Sequence, residues 1–267
     1  MHELLRRTFD EDAERYHRAR PGYPPALFDE LGPPARILEI GCGTGQATRD
    51  LIARGHQVTA IELGPDLAAL ARRTTGTTGT TGTTGTTGTT GTTGTAQIIN
   101  ADFETWPLPV EPFDIVVAAT SFHWIDPEIR VGRAADALRP GGLLATVTTE
   151  HVLGGTVDFF AAAQECYERW DPGTTPGLRL QPSSAIPHDP EDLGDRFTPP
   201  VFHRFERDIT YTADEYIDVL LTYSGHRALR EDLRTGLLAD LRTLIDRVPG
   251  GRITKRYLSE LRLAHRR

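Results

Sequence analysis

Residues 37–48, ILEIGCGTGQAT, decide the fold of this chain. A short apolar run with one acid, Glu39, ends here, and Gly41, Gly43 and Gly45 follow at alternate positions. An apolar run that stops in glycine-rich sequence and continues with helical spacing is typical of a buried parallel strand that turns into a helix. Glycine allows positive φ angles and lets a ligand approach the main chain closely. Because the first amides of a helix are unpaired, the stretch predicts a site for a small polar ligand at the end of this strand.

The spacing of the glycines separates this loop from two other nucleotide-binding loops. It reads acid-x-Gly-x-Gly-x-Gly, whereas Gly-x-Gly-x-x-Gly seats a dinucleotide pyrophosphate, and no Gly-Lys-Ser/Thr follows as in a P-loop. The loop resembles the first motif of the class I S-adenosylmethionine (SAM)-dependent methyltransferases. That resemblance implies that Glu39, Gly41, Cys42, Gly43 and Gly45 bind the cofactor SAM. A glycine-rich turn without a ligand is the alternative interpretation.

Composition narrows the class of protein. A chain of 267 residues with 38% hydrophobic and 25% charged residues is typical of a globular protein with a sizeable core. The net charge of −8 argues against a nucleic-acid-binding surface, which needs clustered basic residues. The charged N-terminus and the lack of any long apolar run predict neither a secretory signal nor a membrane span. Two cysteines imply no disulfide framework, so we expect a cytoplasmic protein, and Lys255 is its only lysine.

Residues 1–30 are predicted to form helices that precede the first strand. The string FDEDAERYHRARPGYPPAL at 9–27 resembles a segment of small-molecule methyltransferases of the trans-aconitate and ubiquinone/menaquinone-biosynthesis type, in which it lies over the cofactor as a lid. The resemblance makes Tyr16, Arg20 and Tyr23 candidates to face the pocket. Arg20 suits a carboxylate, either that of the cofactor or that of an acidic substrate. Alternatively, these residues are a surface arginine and two packing tyrosines.

A second predicted strand, 57–61, ends at Glu62. This acid follows Gly45 by seventeen positions, close to the ~20 at which an acid meets ribose hydroxyls in nucleoside-binding folds. The two oxygens of a carboxylate can each accept a hydrogen bond from one of two vicinal hydroxyls. Leu63 is placed to pack on one face of the adenine. An ordinary exposed glutamate at a strand end is the alternative.

The third predicted strand, 96–102, ends at another acid. The resemblance implies that Asp102 receives the amino group of adenine and that the amide of Phe103 meets a ring nitrogen. Adenine presents one donor and one acceptor there, so a carboxylate beside a free N–H matches both groups.

Residues 74–95 consist of seven Thr-Thr-Gly copies and one further threonine. With no apolar face to bury, this low-complexity linker supports neither a helix nor a stable strand. It enters the third strand at the sheet edge opposite the expected ligand. We therefore expect it to be mobile and functionally inert.

The fourth predicted strand lies in FDIVVAATSFHWID, residues 113–126. Ala119 and Thr120 stand at its end, where small residues would let the sulfonium of the cofactor approach. The phrase Ser-Phe-His-Trp resembles one that borders the methyl-accepting site in the same small-molecule group. His123 is thus a candidate base, because its unperturbed pKa lies near neutrality, and Trp124 is a candidate substrate contact. A structural histidine that shapes the loop is the slightly favoured alternative.

These elements predict an α/β protein with a Rossmann-like, seven-stranded, mostly parallel sheet, helices on both faces and an antiparallel last strand. The predicted divisions are lid helices at 1–30, a SAM-binding core at 31–150, a substrate-capping insertion at 151–201, and strands and helices that complete the sheet at 202–267.

The implied reaction is SN2 transfer of a methyl group from SAM to an oxygen, nitrogen or carbon nucleophile of a small molecule, with carboxylic acids among the candidates. The sulfonium makes the methyl electrophilic, so the protein supplies positioning and desolvation. No metal is expected, because no histidine and carboxylate cluster has ligand spacing. The alternatives are an NAD(P)-dependent oxidoreductase on a similar sheet, which the position of Gly45 argues against, and a SAM-binding protein without catalysis.

Overall fold

The computed structural model describes residue 10 and residues 12–76, 83–87 and 93–267, and a sheet of eight strands forms its centre. The remaining residues of the predicted lid and of the Thr-Thr-Gly linker lie outside the described part. The strands are β1 (Arg36–Ile40), β2 (Gln57–Glu62), β3 (Thr83–Thr87), β4 (Thr93–Asn100), β5 (Phe113–Ala119), β6 (Leu138–Val152), β7 (Val201–Thr212) and β8 (Arg252–His265).

Helices flank the sheet. They are α1 (Ala13–Ala19), α2 (Pro25–Asp29), α3 (Gln46–Ala53), α4 (Pro65–Thr75), α5 (Arg130–Ala137), α6 (Val157–Trp170), α7 (Ala213–Leu220), α8 (Ser224–Ala228) and α9 (Glu231–Arg247). Short 3₁₀ turns lie at Phe122–Trp124, Ser183–Ala185 and Gly194–Arg196.

The strand order is β3-β4-β2-β1-β5-β6-β8-β7. Strands β4, β2, β1, β5 and β6 pair in parallel, and β8 runs antiparallel between β6 and β7. The predicted Rossmann-like sheet with an antiparallel last strand is therefore confirmed. Because the central strands are parallel, their carboxyl ends and the loops that follow them meet at one edge, which is where ligands bind in such sheets.

The Thr-Thr-Gly linker contains one correction to the prediction. Thr74 and Thr75 complete α4, Thr93 begins β4, and Thr83–Thr87 forms β3, which pairs antiparallel with β4. The expectation that the linker forms neither helix nor strand is thus wrong for these residues. Antiparallel pairing uses main-chain hydrogen bonds, which need no apolar face, and threonine is itself favoured in strands.

The three largest apolar clusters of the described residues hold most of the elements together. One lies under α2, α3 and α4 on one face of the sheet, and the second lies under α5 on the other face. The third joins α6, α7 and α9 to the ends of β7 and β8, which run to 12 and 14 residues, against 5 residues for β1. The long strands therefore extend past the central sheet, and their extended ends form a cap together with α6, α7 and α9 beside its carboxyl edge.

Helix α1 bridges the core and this cap. Asp10 accepts a hydrogen bond at 2.8 Å from the backbone N–H of Leu67 in the first turn of α4. On the other side, Arg15 and Arg18 lie 3.3 and 3.5 Å from the carboxylate of Asp218 in α7. Exposed ion pairs contribute only ~0–1 kcal/mol each, so these contacts position the lid more than they stabilise the fold.

The last glycine of the Thr-Thr-Gly linker packs closely against α3. A Cβ placed on Gly94 would lie 2.1 Å from the carbonyl oxygen of Ile52. We expect Gly94→Ala to lower the free energy of unfolding by ~1–3 kcal/mol, the usual cost of overpacking, in urea denaturation.

Gly132 in α5 provides the matched control, because a Cβ there meets nothing within 4 Å. Gly132→Ala should leave the stability unchanged or raise it by up to ~1 kcal/mol through helix propensity. A Gly94→Ala protein as stable as wild type would contradict the close packing of this glycine.

Candidate functional site

A cavity of about 840 Å³ lies at the carboxyl edge of the parallel strands, and its volume is typical of a small-molecule site. Residues of the loops after β1, β2, β4 and β5, of α1 and of the cap line it together. The predicted site residues in its wall are Tyr16, Arg20, Gly41, Gly43, Glu62, Leu63, Phe103, Ala119, Thr120, His123 and Trp124.

The glycine loop has the backbone geometry that the sequence predicts. Gly41, Gly43 and Gly45 have φ angles of +68°, +56° and +84°. A Cβ on Gly41 would lie 2.6 Å from the Cβ of Ser121, and one on Gly43 would lie 3.5 Å from the ring of Tyr16. Glycine is therefore required at Gly41 by both conformation and space, and the loop presents bare main chain to the cavity.

The carboxylate of Glu62 is fixed against this loop. Its Oε2 accepts a hydrogen bond from the N–H of Gly43 at 2.8 Å, and its Oε1 accepts one from the N–H of Gly64 at 2.9 Å. Burial raises the pKa of Glu62, and the two backbone donors partly oppose that effect. Because each carboxylate oxygen has a second lone pair, Glu62 can still accept hydrogen bonds from two ligand hydroxyls.

Glu39 lies behind the loop and does not line the cavity. Its Oε2 accepts a hydrogen bond from the hydroxyl of Thr48 at 2.7 Å, and 1% of the residue is exposed. Burial raises the pKa of Glu39 to about 7, and the bond from Thr48 only partly offsets this. In this structure Glu39 thus ties β1 to the first turns of α3.

Four other predicted residues also lie outside the main lining. Cys42 is buried, which raises the pKa of its thiol, and Gly45 caps α3 at its N-terminus. Asp102 accepts a hydrogen bond at Oδ1 from the N–H of Glu104 at 3.0 Å and lies between Ala101 and Phe103, both of which line the cavity. Tyr23 lines a smaller cavity described below.

Thr120 has a strained backbone at the end of β5. Its φ of +55° is the only positive value at a non-glycine position among the described residues, and threonine is β-branched. The hydroxyls of Thr120 and Tyr23 lie 2.8 Å apart, and Tyr23 also donates to the carbonyl of Ala119 at 3.0 Å. Strain of this kind is typical of functional sites, and here it turns the main chain toward the cavity.

The lid contributes one cation to the cavity. The guanidinium of Arg20 stacks over the rings of Tyr16 and Tyr223, at 5.7 and 4.7 Å from their centroids, and donates to the hydroxyl of Thr222 at 3.4 Å. No carboxylate of the described residues lies within 4 Å of it. Its charge is therefore available to a ligand.

His123 and Trp124 form the rim of the cavity in the 3₁₀ turn after β5. Their rings lie 5.0 Å apart at an angle of 44°, and His123 is exposed. This placement suits either a base or a residue that shapes the loop, so the role of His123 stays a prediction.

Sequence reasoning missed the far wall of the cavity. Glu260 of β8 accepts hydrogen bonds from His188 at 2.6 Å, from the N–H of Asp189 at 3.0 Å and from Arg204 at 2.6 Å. Glu191 is paired with Arg130. These partners are 56 to 72 positions apart, so no local pattern in the sequence could have indicated them.

A smaller cavity of about 230 Å³ adjoins the main one. The two cavities share Arg20, Thr120, Thr149, Glu150 and Tyr223. The other residues that line the smaller cavity are Pro21, Gly22, Tyr23, His151, Arg207, Lys255, Tyr257 and Ser259.

The described part of the chain has neither a metal-binding cluster nor a membrane-spanning helix. It contains no group of three or more His, Cys, Asp or Glu side chains that could hold a metal ion. Nor does any of its helices have the length and apolar character needed to cross a membrane.

The fold and the site resemble those of class I methyltransferase domains. Residues 38–146 match the family model described as a methyltransferase domain, which confirms the resemblance seen in the sequence. The fold is also similar to the solved structure of a candidate type II methyltransferase from Anaeromyxobacter dehalogenans, with a TM-score of 0.57 and 22% identity. The match covers 91% of this chain and 97% of that chain.

Curated relatives are similar over about half of the chain. An uncharacterized methyltransferase of Mycobacterium tuberculosis is 34% identical over 142 residues, which is 52% of this chain and 51% of that protein. A trans-aconitate 2-methyltransferase of Streptomyces avermitilis is 33% identical over 134 residues, which is 48% of this chain and 45% of that protein. The chain spans about half the length of the curated relatives that it matches.

The raised pKa of Glu39 makes the stability depend on pH. Folding favours its protonated form, so its contribution is complete below about pH 4.5 and is lost as the pH rises through about 7. Glu39→Gln is neutral at every pH. Between pH 5 and pH 8, wild type should therefore lose roughly 2–3 kcal/mol of unfolding free energy that Glu39→Gln keeps, at 1.36 kcal/mol per pKa unit. Urea denaturation of both proteins at the two pH values measures this difference.

The comparison between the two proteins isolates Glu39, because all other groups titrate in both. Glu111, whose side chain is 81% exposed, provides the control, and Glu111→Gln should show no such change with pH. If the difference in unfolding free energy between Glu39→Gln and wild type is the same at both pH values, burial does not raise the pKa of this carboxyl.

Proposed function

We propose that this protein is a SAM-dependent methyltransferase that transfers the methyl group by SN2 to an oxygen, nitrogen or carbon nucleophile of a small molecule, with a carboxylic acid as the favoured acceptor. One observation carries the proposal. Bare main chain at Gly41 and Gly43, the fixed carboxylate of Glu62 and the segment around Phe103 line one cavity at the carboxyl edge of a methyltransferase-type sheet.

The residues present fit the cofactor. Glu62 offers acceptors for the ribose hydroxyls, and Leu63 and Phe103 line the cavity where the adenine is expected. Asp102 directly precedes Phe103 in the loop after β4, and we propose that it receives the adenine amino group. A Cβ on Gly43 would lie 3.5 Å from the ring of Tyr16, so a side chain there would occupy the space between the loop and the lid.

When SAM is bound it supplies an electrophilic methyl group, and the chain supplies alignment. We place the sulfonium end near Ala119 and Thr120, which line the cavity between the cofactor loops and the cap. The lid, through Tyr16 and Arg20, covers this region and excludes water. Alignment and desolvation are the main contributions a protein makes to such a transfer. Removal of a proton from the acceptor by His123 stays a prediction.

The positive charge in the cavity wall favours an acidic acceptor. Arg20 lies in the cavity wall without a carboxylate partner within 4 Å among the described residues, so an acidic acceptor would supply the missing charge. The name of one relative, a trans-aconitate 2-methyltransferase, points to the same substrate class. Cytoplasmic localisation and the lack of a nucleic-acid partner stay predictions from composition.

A SAM-binding protein without catalysis is the second candidate. It would need no room for an acceptor, whereas this cavity continues past the cofactor loops to Pro187, Asp189 and Glu260. The volume beyond the cofactor loops therefore favours the enzyme.

The cofactor assignment predicts the effect of two substitutions. Glu62→Ala and Asp102→Ala should each weaken the binding of S-adenosylhomocysteine by ~1–3 kcal/mol, because each leaves ligand groups unpaired at a buried site. Isothermal titration calorimetry measures the change, with the exposed Glu111→Ala as control.

Unchanged affinity in both variants would remove the cofactor assignment. Tight binding of NADH by the wild-type protein, without binding of S-adenosylhomocysteine, would instead favour an oxidoreductase.

A further inference from the structure

The smaller cavity has an excess of positive charge. Arg20, Arg207 and Lys255 line it, whereas Glu150 is the one carboxylate among its lining residues. Lys255 is also the only lysine of a chain whose other basic residues are arginines.

Lys255 is buried with 5% of its surface exposed. Its Nζ donates to the hydroxyl of Tyr223 at 3.3 Å and lies 5.2 and 4.7 Å from the ring centroids of Tyr223 and Tyr257. Within the described residues, no carboxylate lies within 4 Å of this ammonium group. A buried cation is costly unless an opposite charge accompanies it, and phenol rings offset only part of that cost.

The two arginines are also without acidic partners. Arg207 donates to the carbonyls of Gly22 at 2.6 Å and Tyr23 at 3.5 Å, and its Nε is buried with no hydrogen-bond partner. Arg20 contacts only a hydroxyl and two aromatic rings. In the part of the chain that the structure describes, neither guanidinium has a carboxylate within 4 Å.

The remaining titratable groups of the cavity do not cancel this charge. Burial and then Lys255 lower the pKa of His151 to about 3, so its ring is neutral. Burial and then Glu260 raise the pKa of Glu150. Burial would raise the pKa of Tyr223, but Lys255 and Arg20 outweigh it and lower that pKa.

We propose that the smaller cavity binds a carboxylate of the methyl acceptor, with Lys255 and Arg20 as its ligands. This rests on the proposed function, because it places the rest of the acceptor at the junction with the main cavity, beside Thr120 and Tyr223. The rings of Tyr23, Tyr223 and Tyr257 give the cavity apolar walls that suit the carbon skeleton of an organic acid.

Lys255 separates this subsite from the cofactor. Arg20 lines both cavities, whereas Lys255 lines only the smaller one. A substitution at Lys255 therefore tests the acceptor subsite without changing the cofactor loops.

The test is a calorimetric titration with succinate as the probe, in the presence and absence of saturating S-adenosylhomocysteine. Wild type should bind succinate, and Lys255→Met, which keeps the length of the side chain, should bind it at least tenfold more weakly. The uncharged diamide, succinamide, should not bind. Arg242→Met removes a cation that is 45% exposed in α9 and should leave succinate binding unchanged.

Equal succinate affinity in wild type and Lys255→Met, or equal binding of succinamide and succinate, would overturn the proposal. Tighter binding of inorganic phosphate than of succinate would overturn the carboxylate assignment. Should Lys255→Met fail to fold, Lys255→Gln is titrated instead, with the same expected loss. The titrations without S-adenosylhomocysteine keep this test separate from the cofactor assignment, which is tested by the binding of S-adenosylhomocysteine itself.

Discussion

The structure of the site depends on two hydrogen bonds to one buried carboxylate. The N–H groups of Gly43 and Gly64 both donate to Glu62, and so join the loop after β1 to the end of β2 and the start of α4. This arrangement is possible because Gly43 has a positive φ, which turns its N–H toward the neighbouring strand. The carboxylate is then held at the edge of the cavity before any ligand arrives. Such preorganisation lowers the cost of ordering on binding.

Core and cap contribute different parts of the cavity. The parallel strands and the glycine loop supply the wall expected to hold SAM, and they belong to the segment that matches the methyltransferase-domain model. The extended ends of β6 and β8, together with the lid, supply the charged residues around the acceptor: Arg20, Glu150, Lys255 and Glu260. All four residues lie outside residues 38–146, the segment that matches the methyltransferase-domain model.

The sequence predicts the core well and the cap poorly, for a physical reason. The glycine loop and the strands around it follow from local spacing, so their positions could be derived from residues 37–48 and from the strand ends after Ile61 and Ala119. Glu39 belongs to the same motif, yet its side chain points behind the loop to Thr48. The spacing of the residues alone does not indicate this orientation. The pairing of Glu260 with Arg204 and the burial of Lys255 depend on how distant strands meet. β3 was not predicted because it pairs through its main chain, and such pairing does not require an apolar pattern in the sequence.

The central claim is that the loop of Gly41 and Gly43, together with Glu62, holds the nucleoside of SAM. A crystal structure with S-adenosylhomocysteine tests it most directly. The account predicts ribose hydroxyls within hydrogen-bond distance of the Glu62 carboxylate and the adenine beside Leu63 and Phe103. A ligand bound elsewhere in the cavity, with Glu62 left in contact only with Gly43 and Gly64, would contradict it.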